Sequence, residues 1–170
     1  MALNDEVPNL VKNLAEVRPT ILIAVPRIFN RIYDGVNRQM AGKPGPIRAL
    51  FKTGMELAKR RSAGQSLGFA DSAILKLAEA LIFKKVRSRF GGQLRFVISG
   101  SAALNSEVAE FIDALGIVVY EGYGLSETSP VVSVNRPGAR KLGTVGKPIP
   151  GVKVVIDESK SENPGEGEIV

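Results

Sequence analysis

Apolar residues recur along this chain with two alternating periods. Val7, Leu10, Val11, Leu14 and Val17 follow a three- or four-residue spacing, which predicts a helix that Pro19 ends, because the residue before a proline is pushed out of the α region. Thr20 to Val25, apolar from Ile21 on, reads as a buried strand. Pro26 suits the first turn of a second helix, whose apolar face is Ile28, Phe29, Ile32, Tyr33, Val36 and Met40. Gly42-Lys43-Pro44-Gly45-Pro46 breaks it. Helical spacing resumes from Ile47 to Arg61 and from Asp71 to Phe90, with Asp71 placed to cap the later helix and Gly91-Gly92 to end it.

The period then shortens. Leu94 to Ile98 and Ile117 to Tyr120 are short apolar runs of the kind parallel strands carry. Between them Asn105 can cap a helix with Val108, Phe111, Ile112 and Leu115 on one face, and Gly116 supplies a left-handed stop. This is a βαβ unit. Beyond Pro130, Val131 to Val134 and Val152 to Ile156 are strand-like around a glycine-punctuated stretch, Leu142 to Gly151. Turn chemistry at Asn163-Pro164-Gly165-Glu166-Gly167 leads into a last strand at Glu168-Ile169-Val170. The pattern predicts an α/β fold, helices packed on a mainly parallel sheet, with a β-rich C-terminal stretch. Residues 1–130 form the α/β segment, with a helical insertion over about 42–91, and residues 131–170 the β-rich segment. A strand beginning at the last residues suggests a segment of a longer protein.

Composition narrows the chemistry. The 170 residues are 44% apolar and 24% charged, ordinary for a globular domain. No run approaches the roughly 18 apolar residues of a membrane span, and Asp5 and Glu6 replace the basic start of a secretion signal, so a cytoplasmic chain is expected. The absence of cysteine and histidine removes disulfides, thiolate nucleophiles, Ser-His-Asp triads and the usual zinc sites together. A metal must then be a hard cation held by oxygen. The net charge of +6 is uneven: residues 1–91 hold 16 Lys and Arg against 7 Asp and Glu, and residues 92–170 hold 7 against 10. Lys84, Lys85, Arg87 and Arg89 crowd the end of one helix. They read either as a solvated end that complements the helix dipole or as a patch for a membrane surface. Aromatic side chains do not interleave with them as stacking on nucleic acid requires, so nucleic acid is not an expected partner.

In an open α/β sheet, ligands bind beyond the carboxyl ends of the strands. That places Gly100-Ser101-Ala102 and Gly122-Tyr123-Gly124-Leu125-Ser126-Glu127-Thr128 on one crevice. Gly122-x-Gly124-x-x-Glu127 has Glu where a dinucleotide fingerprint has its third glycine, and Gly124 to Thr128 fails as a nucleophile elbow. A GxxxxGK[ST] phosphate loop is absent. What fits is a turn whose backbone approaches a phosphate, with the Ser126 hydroxyl to donate, the Glu127 carboxylate to hold Mg²⁺ and the Tyr123 ring to stack on a base. The residues alone are equally consistent with a capped turn that buries its tyrosine and solvates its glutamate. Ser99 is expected to make a strand-end hydrogen bond.

Ordered motifs decide between these. Glu121-Gly122-Tyr123-Gly124-Leu125-Ser126-Glu127-Thr128 resembles the YGxTE motif of the AMP-forming acyl- and aryl-CoA synthetases, the adenylate-forming family. Ser99-Gly100-Ser101-Ala102-Ala103-Leu104 resembles its adenine loop, Gly143 to Gly151 its GxxGxPxPG element, and Gly165-Glu166-Gly167-Glu168-Ile169 its GExGEI strand. Pro19-Thr20, then Val25-Pro26-Arg27-Ile28-Phe29, with the long helical stretch that follows, is similar to the long-chain fatty-acid branch.

The resemblance implies an adenylate site over residues 99–128. Tyr123 would stack on adenine, with the backbone of Gly100, Ser101 and Ala102 lining the same ring. Ser126, where the family more often has threonine, would contact the α-phosphate, and Glu127 would coordinate Mg²⁺. Ser126 and Glu127 are thus the implied catalytic residues, and Gly122 and Gly124 would line the acyl pocket. The implied substrates are a fatty acid, ATP and coenzyme A. The basic, amphipathic helix from Asp71 to Phe90 has one functional reading of its own, peripheral docking on a membrane surface, beside the expected packing of its apolar face on the rest of the domain. The carboxylate attacks the α-phosphate and releases pyrophosphate, and coenzyme A then displaces AMP. The family's phosphate loop, its ribose-binding Asp and its C-terminal domain with the catalytic Lys have no counterpart in these residues, so the expectation is half a site, inactive alone. A non-catalytic adenine-nucleotide or acyl-binding module is the alternative reading.

Overall fold

A computed structural model describes residues 9–170. The chain runs α1 (Leu10–Val17), β1 (Ile21–Ala24), α2 (Pro26–Ala41), α3 (Gly45–Ser62), then α4 (Phe69–Ala78), which continues through a π-helical turn (Glu79–Phe83) into α5 (Lys84–Ser88). The βαβ unit follows as β2 (Phe96–Ser99), α6 (Ser106–Ala114) and β3 (Val118–Tyr123). A 3-10 turn (Ser126–Thr128) leads to β4 (Ser133–Val134), β5 (Lys147–Pro148), β6 (Ile156–Asp157), a second 3-10 turn (Glu158–Lys160) and β7 (Glu168–Ile169). The expected α/β fold, mainly parallel in its longer strands, is what forms.

Local signals account for most boundaries. Val7 lies outside the described residues; of the rest of the predicted face Leu10 and Leu14 are buried, whereas Val11 and Val17 stay about half exposed, and Arg18 leaves the helix in a left-handed conformation (φ 51°) just before Pro19. The Asn105 side chain accepts hydrogen bonds from the Glu107 and Val108 amides at 2.8 and 3.3 Å, which caps α6. Asp71 does not cap. The helix starts earlier, with Gly68 at the cap position, and Asp71 sits in the first turn, where it pairs with Arg60 at 3.5 Å.

One five-stranded sheet has the order β1-β2-β3-β4-β5. The first three strands are parallel, and their register aligns Ile21, Phe96 and Val118 at one end and Ala24, Ser99 and Glu121 at the other. β4 and β5 add antiparallel at the β3 edge, and β6 pairs with β7 in a separate two-stranded sheet. Side chains alternate across a strand, so Val97 and Val119 join the core while Phe96 and Tyr120 meet edge to face on the other side, centroids 5.5 Å apart. β1 departs from expectation. It is an edge strand whose outer face is bare, with Ile23 77% exposed, because the helices that follow it cover only the Leu22 and Ala24 side.

An aromatic chain ties those helices together. Tyr33 of α2 packs on Phe111 of α6 (4.8 Å), Phe111 on Phe51 of α3 (6.3 Å), and Phe51 on Phe83 of the π turn (6.2 Å). Tyr33 also donates to Glu107 Oε1 at 2.6 Å. Gly54 lets α3 approach its partner: a Cβ there would stand 2.5 Å from the Ala78 Cβ and 3.2 Å from the Phe83 ring.

Gly54→Val is therefore expected to destabilise the protein by about 2–3 kcal/mol through overpacking. Gly35, inside α2 with open space around it, gives the opposite sign: Gly35→Ala should stabilise by roughly 0.5–1 kcal/mol. Urea denaturation measures both. A third expectation concerns pH. The bond to Glu107, then burial, raises the Tyr33 phenol above its ordinary 10.0. A raised folded value means that the contribution is complete below about pH 10 and is lost as pH climbs through the raised value. The stability difference between wild type and Tyr33→Phe should thus shrink on going from about pH 9 to pH 11, and a constant difference would exclude the bond.

Candidate functional site

The register of the parallel strands brings the predicted residues to one edge. β2 ends at Ser99 and β3 runs on to Tyr123, so Gly100 and Gly122 leave neighbouring strands side by side, and a Cβ on Gly100 would lie 3.8 Å from the Gly122 carbonyl oxygen. Ser101 takes a left-handed conformation (φ 71°) that side chains rarely adopt, and Ser101 and Ala102 are exposed. Leu104, 5% exposed, anchors the loop from below.

Beyond β3 the chain turns sharply. The Thr128 hydroxyl accepts from the Leu125 amide at 2.9 Å and lies within donating distance of the Leu125 and Pro130 carbonyls, at 2.9 and 3.1 Å. Ser129 is left-handed (φ 61°). This knot leaves Ser126 and Glu127 exposed on the 3-10 turn, with no side-chain partner among the described residues. Tyr123 is half-buried, and its ring and hydroxyl make no aromatic or hydrogen-bond contact among the described residues. Of the capped-turn reading, the cap and the solvated glutamate form, while the tyrosine is half-buried rather than buried.

Two buried polar atoms stand out. Ser99 is 1% and Glu121 7% exposed, they face each other in register, and the Ser99 hydroxyl and Glu121 Oε1 have no hydrogen-bond partner among the described residues. The strand-end hydrogen bond expected of the Ser99 side chain is not made among the described residues. Buried polar groups in folded proteins are almost always satisfied, which sets these two atoms apart from the other buried side chains described. The signal for Glu121 was in the sequence as a carboxylate at an inward strand position, two residues after Val119.

Sequence reasoning also missed what braces the crevice. Buried Asn135 donates to the Thr144 carbonyl and accepts from the Lys141 amide at 3.0 Å, and Ser133 donates to the Val145 carbonyl at 3.0 Å. Arg140 reaches across to the Val119 carbonyl (2.8 Å) and pairs with Asp113 of α6. Gly146, at φ 79°, lies where a Cβ would meet the Val134 and Asn135 backbone at 2.2 Å. Gly124 has a requirement of its own within the chain, since its Cβ would fall 1.7 Å from the Pro130 oxygen. No group of three or more acidic or other metal-ligating side chains gathers among the described residues.

Against known proteins, the profile of the AMP-binding enzyme family matches residues 2–170. The chain belongs to the AMP-binding enzyme family. Among curated relatives of this family member, the long-chain-fatty-acid–CoA ligase FadD15 of Mycobacterium bovis is 33% identical over 153 residues, covering 89% of this chain and 25% of that protein. The peroxisomal long chain acyl-CoA synthetase 6 of Arabidopsis thaliana is 38% identical over 148 residues, 86% of this chain and 20% of that protein. This chain thus spans a quarter or less of the length of these two relatives. Its fold is shared with solved CoA ligases: a benzoate CoA ligase from Burkholderia xenovorans (TM-score 0.53, 24% identity, 99% of this chain and 26% of that one) and the anthranilate CoA ligase AuaEII (TM-score 0.53, 20% identity, 96% and 23%).

The two loop glycines separate by substitution. Gly124→Ala should cost about 3 kcal/mol or more, because a backbone carbonyl has to move, whereas Gly100→Ala should stay within about 0.5 kcal/mol. Thermal unfolding of both variants measures the contrast.

Proposed function

We propose that this chain forms the adenine and Mg²⁺ side of an ATP-dependent ligase that activates long-chain fatty acids, first as acyl-AMP and then as acyl-CoA. The observation that carries the reading is the coincidence of the YGxTE-like motif with a set of unengaged groups at the strand ends: the Tyr123 ring, the Ser126 hydroxyl, the Glu127 carboxylate and the buried Ser99–Glu121 pair. The relatives named above, two of them long-chain fatty-acid ligases, support the choice of acyl substrate.

In this reading the adenine ring slides over Tyr123, edged by the backbone of Gly100, Ser101 and Ala102. Ser126 donates to the α-phosphate as charge gathers on it, and the knot made by Thr128 holds that hydroxyl in place. Glu127 holds Mg²⁺; a lone carboxylate suits an ion that takes most of its ligands from phosphate and water, and the bound ion supplies charge neutralisation. Gly122 and Gly124 pass the backbone close to the acyl carboxylate, and coenzyme A is the second substrate. Peripheral contact with a membrane surface, through the exposed Lys84 and Lys85, belongs to the same reading.

Calorimetric titration with a non-hydrolysable acyl-adenylate analogue and Mg²⁺ tests the reading. Loss of base stacking in Tyr123→Ala should weaken binding by roughly tenfold to a hundredfold, and Glu127→Gln should remove the dependence on Mg²⁺. Equal affinity in wild type and Tyr123→Ala would overturn the placement of the adenine.

A further inference from the structure

The turn between α3 and α4 closes a cleft of about 390 Å³. Arg61 lines it from α3, Ser72, Leu75 and Lys76 line it from α4, and Ser66 and Leu67 line it from the connecting loop. The loop is tied at both ends. Gly64 is left-handed (φ 78°) and the Gln65 amide returns to the Arg60 carbonyl at 3.0 Å, which ends α3 in a Schellman turn. Arg60 then spans the loop, donating to Gln65 Oε1 at 3.2 Å and to Asp71 Oδ2 of α4 at 3.5 Å. The groups on the two helices are thereby held on one opening.

The cleft carries positive charge. Its one acid, Glu79, pairs with Arg87, and the nearby Asp71 pairs with Arg60. Arg61 and Lys76 have no acidic partner among the described residues, and among the same residues the Ser66 and Ser72 hydroxyls make no hydrogen bond. Leu75, 4% exposed, and the half-buried Leu67 give the lining its apolar part. A charge held against such surface meets less competition from water, so its bonds to the cations are stronger.

We infer that this cleft binds the phosphate group of a small ligand, with the Arg61 guanidinium and the Lys76 ammonium on its oxygens and the Ser66 and Ser72 hydroxyls donating to it. An ionised phosphate presents three acceptor oxygens and no donor, which matches two cations and two hydroxyls. A carboxylate has less charge and one oxygen fewer, so it leaves more of these donors unmet. A cationic ligand would meet Arg61 and Lys76 directly. The volume falls in the range of small-molecule sites, and Leu67 and Leu75 offer apolar surface to the body of a phosphate ester. The inference stands on different residues from the proposed nucleotide site and does not depend on it.

Phosphorus NMR titration of the whole protein tests it, with inorganic phosphate and phenyl phosphate as probes. Both should bind saturably and more weakly as salt rises. Tighter binding of phenyl phosphate assigns the cleft to an ester, and equal binding of the two assigns it to free phosphate. Arg61→Gln and Lys76→Gln should each weaken binding by about tenfold. Both side chains are exposed, so neither change puts the fold at stake. Lys153→Gln with Lys160→Gln, exposed lysines elsewhere, should leave binding unchanged. Tyr123→Ala should leave it unchanged too, so this inference and the proposed nucleotide site fail separately. Absence of saturable binding, or equal affinity in wild type and the Arg61→Gln, Lys76→Gln double variant, would overturn the inference. So would acetate that competes with phosphate at equal concentration, because diffuse positive charge would then account for the binding.

Discussion

Parallel pairing of β1, β2 and β3 in a single register is the constraint from which the rest of the molecule follows. Parallel strands cannot be joined by tight turns, so each connection must climb back along the sheet as helix. The first does so through α2, α3 and the helix that begins at Phe69, the second through α6 alone. All of these helices share one buried cluster with Val97 and Val119, which leaves the opposite sheet face to the exposed Ile23 and the half-buried Phe96–Tyr120 pair. The same register brings Ser99 beside Glu121 and releases both glycine loops at one edge. A slip of one residue would turn that polar pair to the other face and bury Tyr120 in its place.

Polar side chains divide into two sets by what they do at that edge. Thr128, Asn135, Ser133 and Arg140 spend their hydrogen bonds on the chain itself, mostly on backbone carbonyls and amides. Ser126, Glu127, Ser99 and one oxygen of Glu121 do not. A site needs both sets, since a hydroxyl offered to a ligand is useful only where its turn cannot collapse onto it. The close backbone approaches at Gly124 and Gly146 belong to the bracing set. There a side chain is excluded by the chain's own fold, whatever ligand the crevice accepts.

The cations of the first half divide in the same way. Arg87 ties its helix to the C-terminal carbonyl of α6, and Arg89 ties it to α2 through Gln39, so part of the basic cluster is tertiary glue rather than surface charge. Lys43 and Lys85 carry no such duty among the described residues, and they line one groove with the exposed Leu81. Cations and apolar groups that look alike along the helix are thus sorted by the elements packed against it.

Much was legible in the sequence because it depends on neighbours along the chain. The helical spacing of Ile28, Phe29, Ile32, Val36 and Met40, the Asn105 cap, the left-handed Gly116 and the strand–helix–strand order are local, and local sterics and hydrogen bonds decide them. The ordered motifs likewise pointed to the AMP-binding enzyme family and to the strand-end crevice. Tertiary structure alone decided that β1 is a half-bare edge, that Asp71 serves Arg60 rather than a cap, and that the Ser99 hydroxyl and one oxygen of Glu121 are buried together without partners among the described residues. Each of these depends on which surface a distant element covers, and residues tens of positions apart in the chain carry no mark of that until the strands have paired.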